Sequence, residues 1–420
     1  MTSRERLTAT LNHETPDRLC VDFGAGFQTG MGAGAVHRLR QAVLGQPDFR
    51  VKVIESYQML GEIDEELRQA LGLDVVGVHG PGTMFGFKNE GWKPFTMFDG
   101  TPVLVPEGFN VTPADDGGWL IYPDGDTTVP PSAWMPKGTY FFDAIDRQLP
   151  LDEDNLNPAD NCEEMGPIDD ADVEHYARLA RHYHENTGYG IYMTLPGTAF
   201  GDIALVPAPW MKHPKGIRNI EEWYMATVTN SDYVMKVFEC QLESALKNIE
   251  RLAAAVGDRA QVVFVSGTDF GTQTGQFCSV ETYRDLYKPF HKAVNDRIHQ
   301  LTKWKTFIHS CGAVAPFVPE FIEAGFDVLN PVQCSATGMD PRTLKREFGN
   351  DVVFWGGGVD TQKTLPFGSP DDVYREVRER IDILSPGGGF VFNGIHNVQS
   401  NVPVENLLAM FRAVKDSIQA

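Results

Sequence analysis

Residues 305–312 read Lys305-Thr306-Phe307-Ile308-His309-Ser310-Cys311-Gly312. A short apolar run closes on a glycine, and two metal-type donors, His309 and Cys311, occupy positions i and i+2. On a strand those positions project to one face. The same construction recurs along the chain. Leu19–Val21 leads into Asp22-Phe23-Gly24, Leu73–Val78 ends at His79-Gly80, and Ile191–Leu195 at Pro196-Gly197-Thr198. Gln261–Ser266 ends at Gly267-Thr268-Asp269, Val328–Val332 at Gln333-Cys334, Val352–Trp355 at Gly356-Gly357-Gly358, and Phe390–Phe392 at Asn393-Gly394-Ile395-His396. Short apolar runs bounded by glycine and polar residues are the mark of parallel strands covered on both faces.

Helical spacing lies between most of these runs. Arg4–His13 precedes the first. Asp232–Val256 carries Val234, Phe238, Leu242, Leu246 and Ile249 on one stripe, and Ser279–Lys303 carries Tyr283, Tyr287, Phe290, Val294 and Ile298. Ala313–Ala324, Asp340–Phe348, Ser369–Leu384 and Pro403–Ile418 are shorter cases. Eight strand candidates alternating with helices predict an α/β fold, a (β/α)8 TIM barrel, with a doubly wound open sheet as the competitor. From Gly80 to about Asp160 the alternation stops. Glycine, proline, aspartate and aromatics dominate there, with hairpin-like pieces such as Trp119–Gly125. That stretch predicts a β-rich insertion between the second and third strands of one barrel domain spanning residues 1–420. Its aromatics Phe85, Phe87, Trp92, Trp119 and Trp134 suit either a pocket wall or a core.

The chain has 420 residues, 36 basic and 57 acidic, for a formal net charge of −21. That balance excludes an extended nucleic-acid or anionic-membrane surface, since such partners are held by Lys and Arg. Met1–Arg18 is polar, and nowhere do about 18 apolar residues run together, so a cytoplasmic protein is expected. The six cysteines form no framework, as expected of reduced thiols.

Barrel enzymes place their chemistry at the C-terminal strand ends. His309 and Cys311 would point together there, and neutral imidazole with thiolate is zinc chemistry. A buried structural pair is the plainer alternative. Strands five and eight of a closed barrel end on the same face, so His396 is a third candidate ligand, with a hydrogen-bonded pocket histidine as its alternative. Three protein ligands and an open position describe a catalytic zinc rather than a structural one. Asp269, in a glycine-flanked loop, is the candidate catalytic acid, or else a helix cap. Asp22, Gln273, Asn330, Gln333 and Asn397 stand at or beside the other strand ends and are candidate substrate contacts.

The opening Arg4-Glu5-Arg6-Leu7…Leu11-Asn12-His13…Pro16-Asp17-Arg18 resembles the start of the uroporphyrinogen decarboxylase superfamily. So do Asp269-Phe270-Gly271-Thr272-Gln273, His309-Ser310-Cys311-Gly312, Gly338-Met339-Asp340 and Val402-Pro403-Val404-Glu405-Asn406. The resemblance implies a (β/α)8 barrel that is either a cofactor-free decarboxylase or a zinc-dependent methyltransferase serving a corrinoid protein or a thiol. True decarboxylases carry a Met-Arg-Gln-Ala-Gly-Arg-Tyr segment after the first strand, whose arginines hold substrate carboxylates. Here Phe23–Gly30 has no arginine. In the methyltransferase branch the His-x-Cys-Gly pair supplies two zinc ligands, and a cysteine seven residues before the helix-opening proline supplies the third. Counting back from Pro403, that position holds His396. Where some relatives have a glutamate ligand, this chain has Gln333.

The resemblance therefore implies zinc on His309, Cys311 and His396, and methyl exchange between a small substrate, such as a methoxy-aromatic, and a corrinoid (cobalamin) on a separate protein. A homodimer is compatible with it. The competing readings are a metal-free carboxy-lyase using Asp269, and a non-catalytic barrel that binds a corrinoid or a small aromatic.

Overall fold

A computed structural model of the protein describes residues 1–152 and 156–417. Residues 153–155 of the expected insertion, and Ile418 of the expected last helix, lie outside the described residues. Eight parallel strands form one sheet: β1 (Cys20–Val21), β2 (Val75–Val78), β3 (Gly190–Thr194), β4 (Val262–Ser266), β5 (Lys305–His309), β6 (Val328–Asn330), β7 (Val353–Trp355) and β8 (Phe390–Phe392). Their order is β1-β8-β7-β6-β5-β4-β3-β2, the sequence of a (β/α)8 barrel. Every expected strand is present.

The ladder stops between β1 and β2, and Asp74 closes that seam. Its backbone N–H donates to Val21 O at 2.8 Å, and its Oδ2 accepts from Val21 N at 3.0 Å. Asp74 is fully buried, and Arg6 Nη1 (2.6 Å) and Arg18 Nη2 (2.7 Å) both donate to its Oδ1. The N-terminal Arg/Asp signature is thus a clamp. It neutralises the carboxylate that stands in for missing ladder bonds beside a two-residue strand.

The barrel is filled from below by Leu7 and Leu11 of helix α1 (Ser3–Leu11). Above them Tyr192, Phe264, Phe307 and Trp355 project inward from four strands. The Phe307 ring lies 5.4 Å from Tyr192 and 5.5 Å from Trp355, edge to face in each case. This aromatic layer is the floor on which the site rests.

The remaining helices cover the outside: α2 (Ala33–Leu44), α3 (Glu65–Leu71), α4 (Asp170–Asn186), α5 (Ile220–Thr229), α6 (Ser231–Val256), α7 (Lys288–Leu301), α8 (Val318–Glu323), α9 (Pro341–Phe348), α10 (Pro370–Leu384) and α11 (Val404–Ser417). The expected continuous helix Ser279–Lys303 is broken by a π-helical turn, Tyr283–Tyr287. Pro289 supplies the cause, since it has no N–H to give and its ring crowds the preceding turn, so the backbone widens. Helices α2 to α5 carry no strong apolar stripe and were not expected from the sequence. In α4 only Tyr176, Ala177 and Ala180 are buried.

Two small sheets replace the alternation. Val111–Pro113, Trp119–Ile121, Ala133–Met135 and Asp143–Ala144 form one antiparallel sheet. In the other, Lys93–Thr96 and Pro102–Val105 join Val51–Glu55 and Leu60–Gly61, which precede β2. The β-rich region therefore draws on chain outside Gly80–Asp160. Its signal was the alternation of Val51, Val53 and Glu55, all buried, with half-exposed Lys52 and Ile54. Phe85, Phe87, Phe109 and Phe142 contact one another, and Trp119 stacks on Phe98 at 3.8 Å. These aromatics form the core of the insertion. No helix among the described residues is long and apolar enough to cross a membrane.

Candidate metal centre

Strand β5 brings Phe307 and then His309 to the barrel interior, and the turn beyond it returns Cys311 to the same face. Cys311 Sγ lies 3.3 Å from His309 Nε2. His396, from the loop after β8, completes the group. The three side chains each offer a ligand atom, and these atoms all lie within 4.8 Å of one another. The two imidazole rings are 5.3 Å apart, tilted by 72°.

Asn330, at the end of β6, fixes which nitrogen of His309 faces the cluster. Its Nδ2 donates to Trp355 O at 2.8 Å, so its Oδ1 is the atom 2.6 Å from His309 Nδ1. Nδ1 must therefore carry the proton and donate, leaving Nε2 with its lone pair toward Cys311. Burial pushes both imidazoles down to about 4, so each is neutral at ordinary pH, the form that ligates. Burial and the neighbouring Asp269 carboxylate push the Cys311 thiol well up. A cation between the three groups would reverse that and favour the thiolate. Two neutral imidazoles and one thiol on a rigid strand end match the donor set of a zinc site with an open fourth position.

Asp269 stands beside this group. Its Oδ1 accepts from Cys311 N at 2.6 Å, and its backbone oxygen accepts from Tyr224 OH at 3.1 Å. Burial raises its carboxyl above the ordinary value. Gln333 Oε1 accepts from Gly312 N at 2.7 Å, while its Nε2 donates to Gln273 Oε1 at 2.8 Å. The two glutamines thus buttress the turn that carries Cys311.

Three further expected residues are wholly engaged by protein groups. Asp22, fully buried and pushed up to about 6, accepts from Ala25 N and from Trp355 Nε1 at 3.0 Å. Asn397 accepts from Gly30 N at 2.6 Å and donates to Phe27 O and Gln58 Oε1. Asn330 is occupied as described. The structure places all three behind or beside the centre as supports.

Asp202 was not expected. It follows β3 in Ala199-Phe200-Gly201-Asp202, and burial together with the charge of Asp269 pushes it up to about 7. Gly267, at the end of β4, makes room for it, since a Cβ there would lie 2.4 Å from Asp202 Oδ2. The signal was a glycine-flanked acid at a strand end, the same pattern that marked Asp269. It stands in the loop after β3, a few residues past the Pro196-Gly197-Thr198 that closes the apolar run.

Residues 202–417, about half the chain, match the family model described as Uroporphyrinogen decarboxylase (URO-D). No curated protein matches the chain. Among solved structures it is similar to a methyltransferase from Methanosarcina mazei, with 14% identity, a TM-score of 0.56 and 99% of each chain covered. It also has a likeness to a GH113 β-1,4-mannanase, at 12% identity and TM-score 0.29 over 59% of this chain and 79% of that one. An endo-1,4-β-xylanase from Penicillium canescens matches at 11% identity and TM-score 0.30, over 62% of this chain and 98% of that one.

Proposed function

The chain belongs to the uroporphyrinogen decarboxylase (URO-D) family, and we propose that it is a zinc-dependent methyltransferase. It would move a methyl group between a small substrate, in our reading a methoxy-aromatic, and a corrinoid carried by a separate protein. The observation that carries this is the convergence of His309, Cys311 and His396 at the C-terminal face of the barrel. The Phe23–Gly30 loop, which has no arginine, favours methyl transfer over decarboxylation of a polycarboxylate. The full-length structural neighbour is itself a methyltransferase, which agrees in kind.

His309 Nε2, Cys311 Sγ and a ring nitrogen of His396 would hold the metal, which when bound supplies Lewis acidity toward the substrate's heteroatom. Asn330 keeps His309 in the ligating tautomer. Asp269 is the catalytic acid of the proposal. Burial raises its carboxyl above the ordinary value, and it would give its proton to the oxygen that loses the methyl group. Gln273 and Gln333, which hold each other and the Cys311 turn, would meet the substrate from that turn. Asp22 and Asn397 position the loops that frame the mouth.

The test uses untagged protein. Near-stoichiometric zinc by elemental analysis is expected in the wild type and its loss in Cys311→Ala. Methyl transfer from a methoxy-aromatic to free cob(I)alamin is expected of the wild type alone. A zinc-free wild type, or a Cys311→Ala protein that keeps both metal and activity, would overturn the proposal.

A further inference from the structure

The loop that carries Asp202 has a second face. There a cavity of about 290 Å³ opens between that loop, helices α5 and α6, and the segment around Met165. Leu205, Trp210, Trp223 and Phe238 supply most of its apolar wall, and Asp202 lines it from the side nearest the metal centre. The polar groups of the wall are largely satisfied among themselves. Arg218 forms a two-pronged pair with Glu164 at 2.6 and 3.0 Å. Gln241 Nε2 donates to Gly197 O at 3.0 Å, and Asn248 Nδ2 to Pro196 O at 3.1 Å.

One donor stands apart. Trp223 is 3% exposed, and its indole N–H has no acceptor among the described residues. A buried N–H left in this state is costly, because it has given up its bond to water. Such groups are normally paired, so an orphan in a cavity wall marks where an acceptor belongs. Gly201 keeps the space beside the indole nitrogen clear, since a Cβ there would lie 3.4 Å from Trp223 Nε1 and 3.1 Å from Phe238 Cζ. An apolar cavity of roughly 150 Å³ suffices for benzene. This one has room for a ring with a substituent.

We propose that this cavity binds a neutral monocyclic aromatic molecule whose acceptor oxygen takes the Trp223 N–H. The identification of that molecule with the methyl-bearing substrate rests on the methyltransferase reading; the binding site itself does not. Aromatic walls suit the ring, and the unpaired Trp223 N–H selects an oxygen over a methylene at one position.

The experiment measures binding of anisole and of its near-isostere ethylbenzene by calorimetry, using the full chain. Anisole is expected to bind the wild type about tenfold more tightly, the worth of one buried hydrogen bond. Trp223→Phe is expected to abolish that preference while still binding ethylbenzene, and Leu205→Trp to block both probes. No binding of either probe to the wild type, or equal binding of the two, overturns the inference, whether or not the variants fold. Binding with the expected preference but without methyl transfer to cob(I)alamin leaves this site standing and removes the methyltransferase reading.

Discussion

His309 Nδ1 donates to Asn330 Oδ1 across 2.6 Å, and this contact decides that Nε2 is the nitrogen facing Cys311. Asn330 reaches no further than its two partners, so its effect on a bound metal is entirely through His309. Asn330→Leu removes the acceptor and frees the ring to rotate or change tautomer. Zinc affinity is expected to fall by about 10- to 100-fold, the usual cost of losing a ligand's supporting partner. Competition with a chromophoric chelator checks this without reference to activity.

Removing His396 tests whether the third donor belongs to the centre. His396→Ala leaves one imidazole and one thiol, which cannot hold zinc tightly. Zinc content is expected to drop to background after dialysis, with the thermal transition of the metal-free protein little changed. Retention of one zinc per chain would exclude His396 as a ligand.

Asp74 makes the seam between β1 and β2 sensitive to charge. Asp74→Asn keeps an acceptor for Val21 but leaves Arg6, 5% exposed, with only the half-exposed Asp17 as counter-charge. Removing one partner of a buried pair costs about 3–5 kcal/mol. A lower urea midpoint is expected, with unchanged slope.

Glu55 gives a pH dependence of known sign. It accepts from the backbone N–H of Tyr57 and Gln58, yet burial pushes its carboxyl up from 4.5 to about 7. Between those values the folded chain holds a proton that the unfolded chain has released. Stability therefore falls as pH rises through that window, by about 3 kcal/mol in all, and levels off above it. Glu55→Gln is expected to lose this contribution, so the difference in unfolding free energy between the two proteins, followed from pH 4.5 to 8, carries the fall.

Gly201 has a φ of +66°, and an added Cβ would lie 3.0 Å from Tyr287 Cε1. Gly201→Ala combines a left-handed backbone with crowding against packed rings. A loss of about 1–3 kcal/mol is expected in denaturant unfolding.

Much of this protein was legible residue by residue. The eight barrel strands could be read because each is a short apolar run stopped by glycine or a polar residue, and that signal is local. His309 and Cys311 could be read as a pair because two positions on one strand share a face wherever the strand ends up. The helices α2 to α5 could not, because the residues they bury are mostly small or polar and leave no long apolar stripe. The pairing of Val51–Glu55 was not legible either, since its partner Pro102–Val105 lies beyond β2 in the chain.

The sequence by itself determined the barrel, its β-rich excursion and a donor pair at a strand end, because periodicity and i, i+2 geometry need no knowledge of distant chain. Only the tertiary structure decided the rest. It brought His396 to within ligand distance of a pair 85 or more residues earlier. It gave Asn330, Asp22 and Asn397 hydrogen-bond partners within the protein, and it formed the Trp223 cavity. The physical reason is common to all of these. A side chain's role depends on which groups satisfy its hydrogen bonds, and those partners come from strands and loops that meet only when the barrel closes.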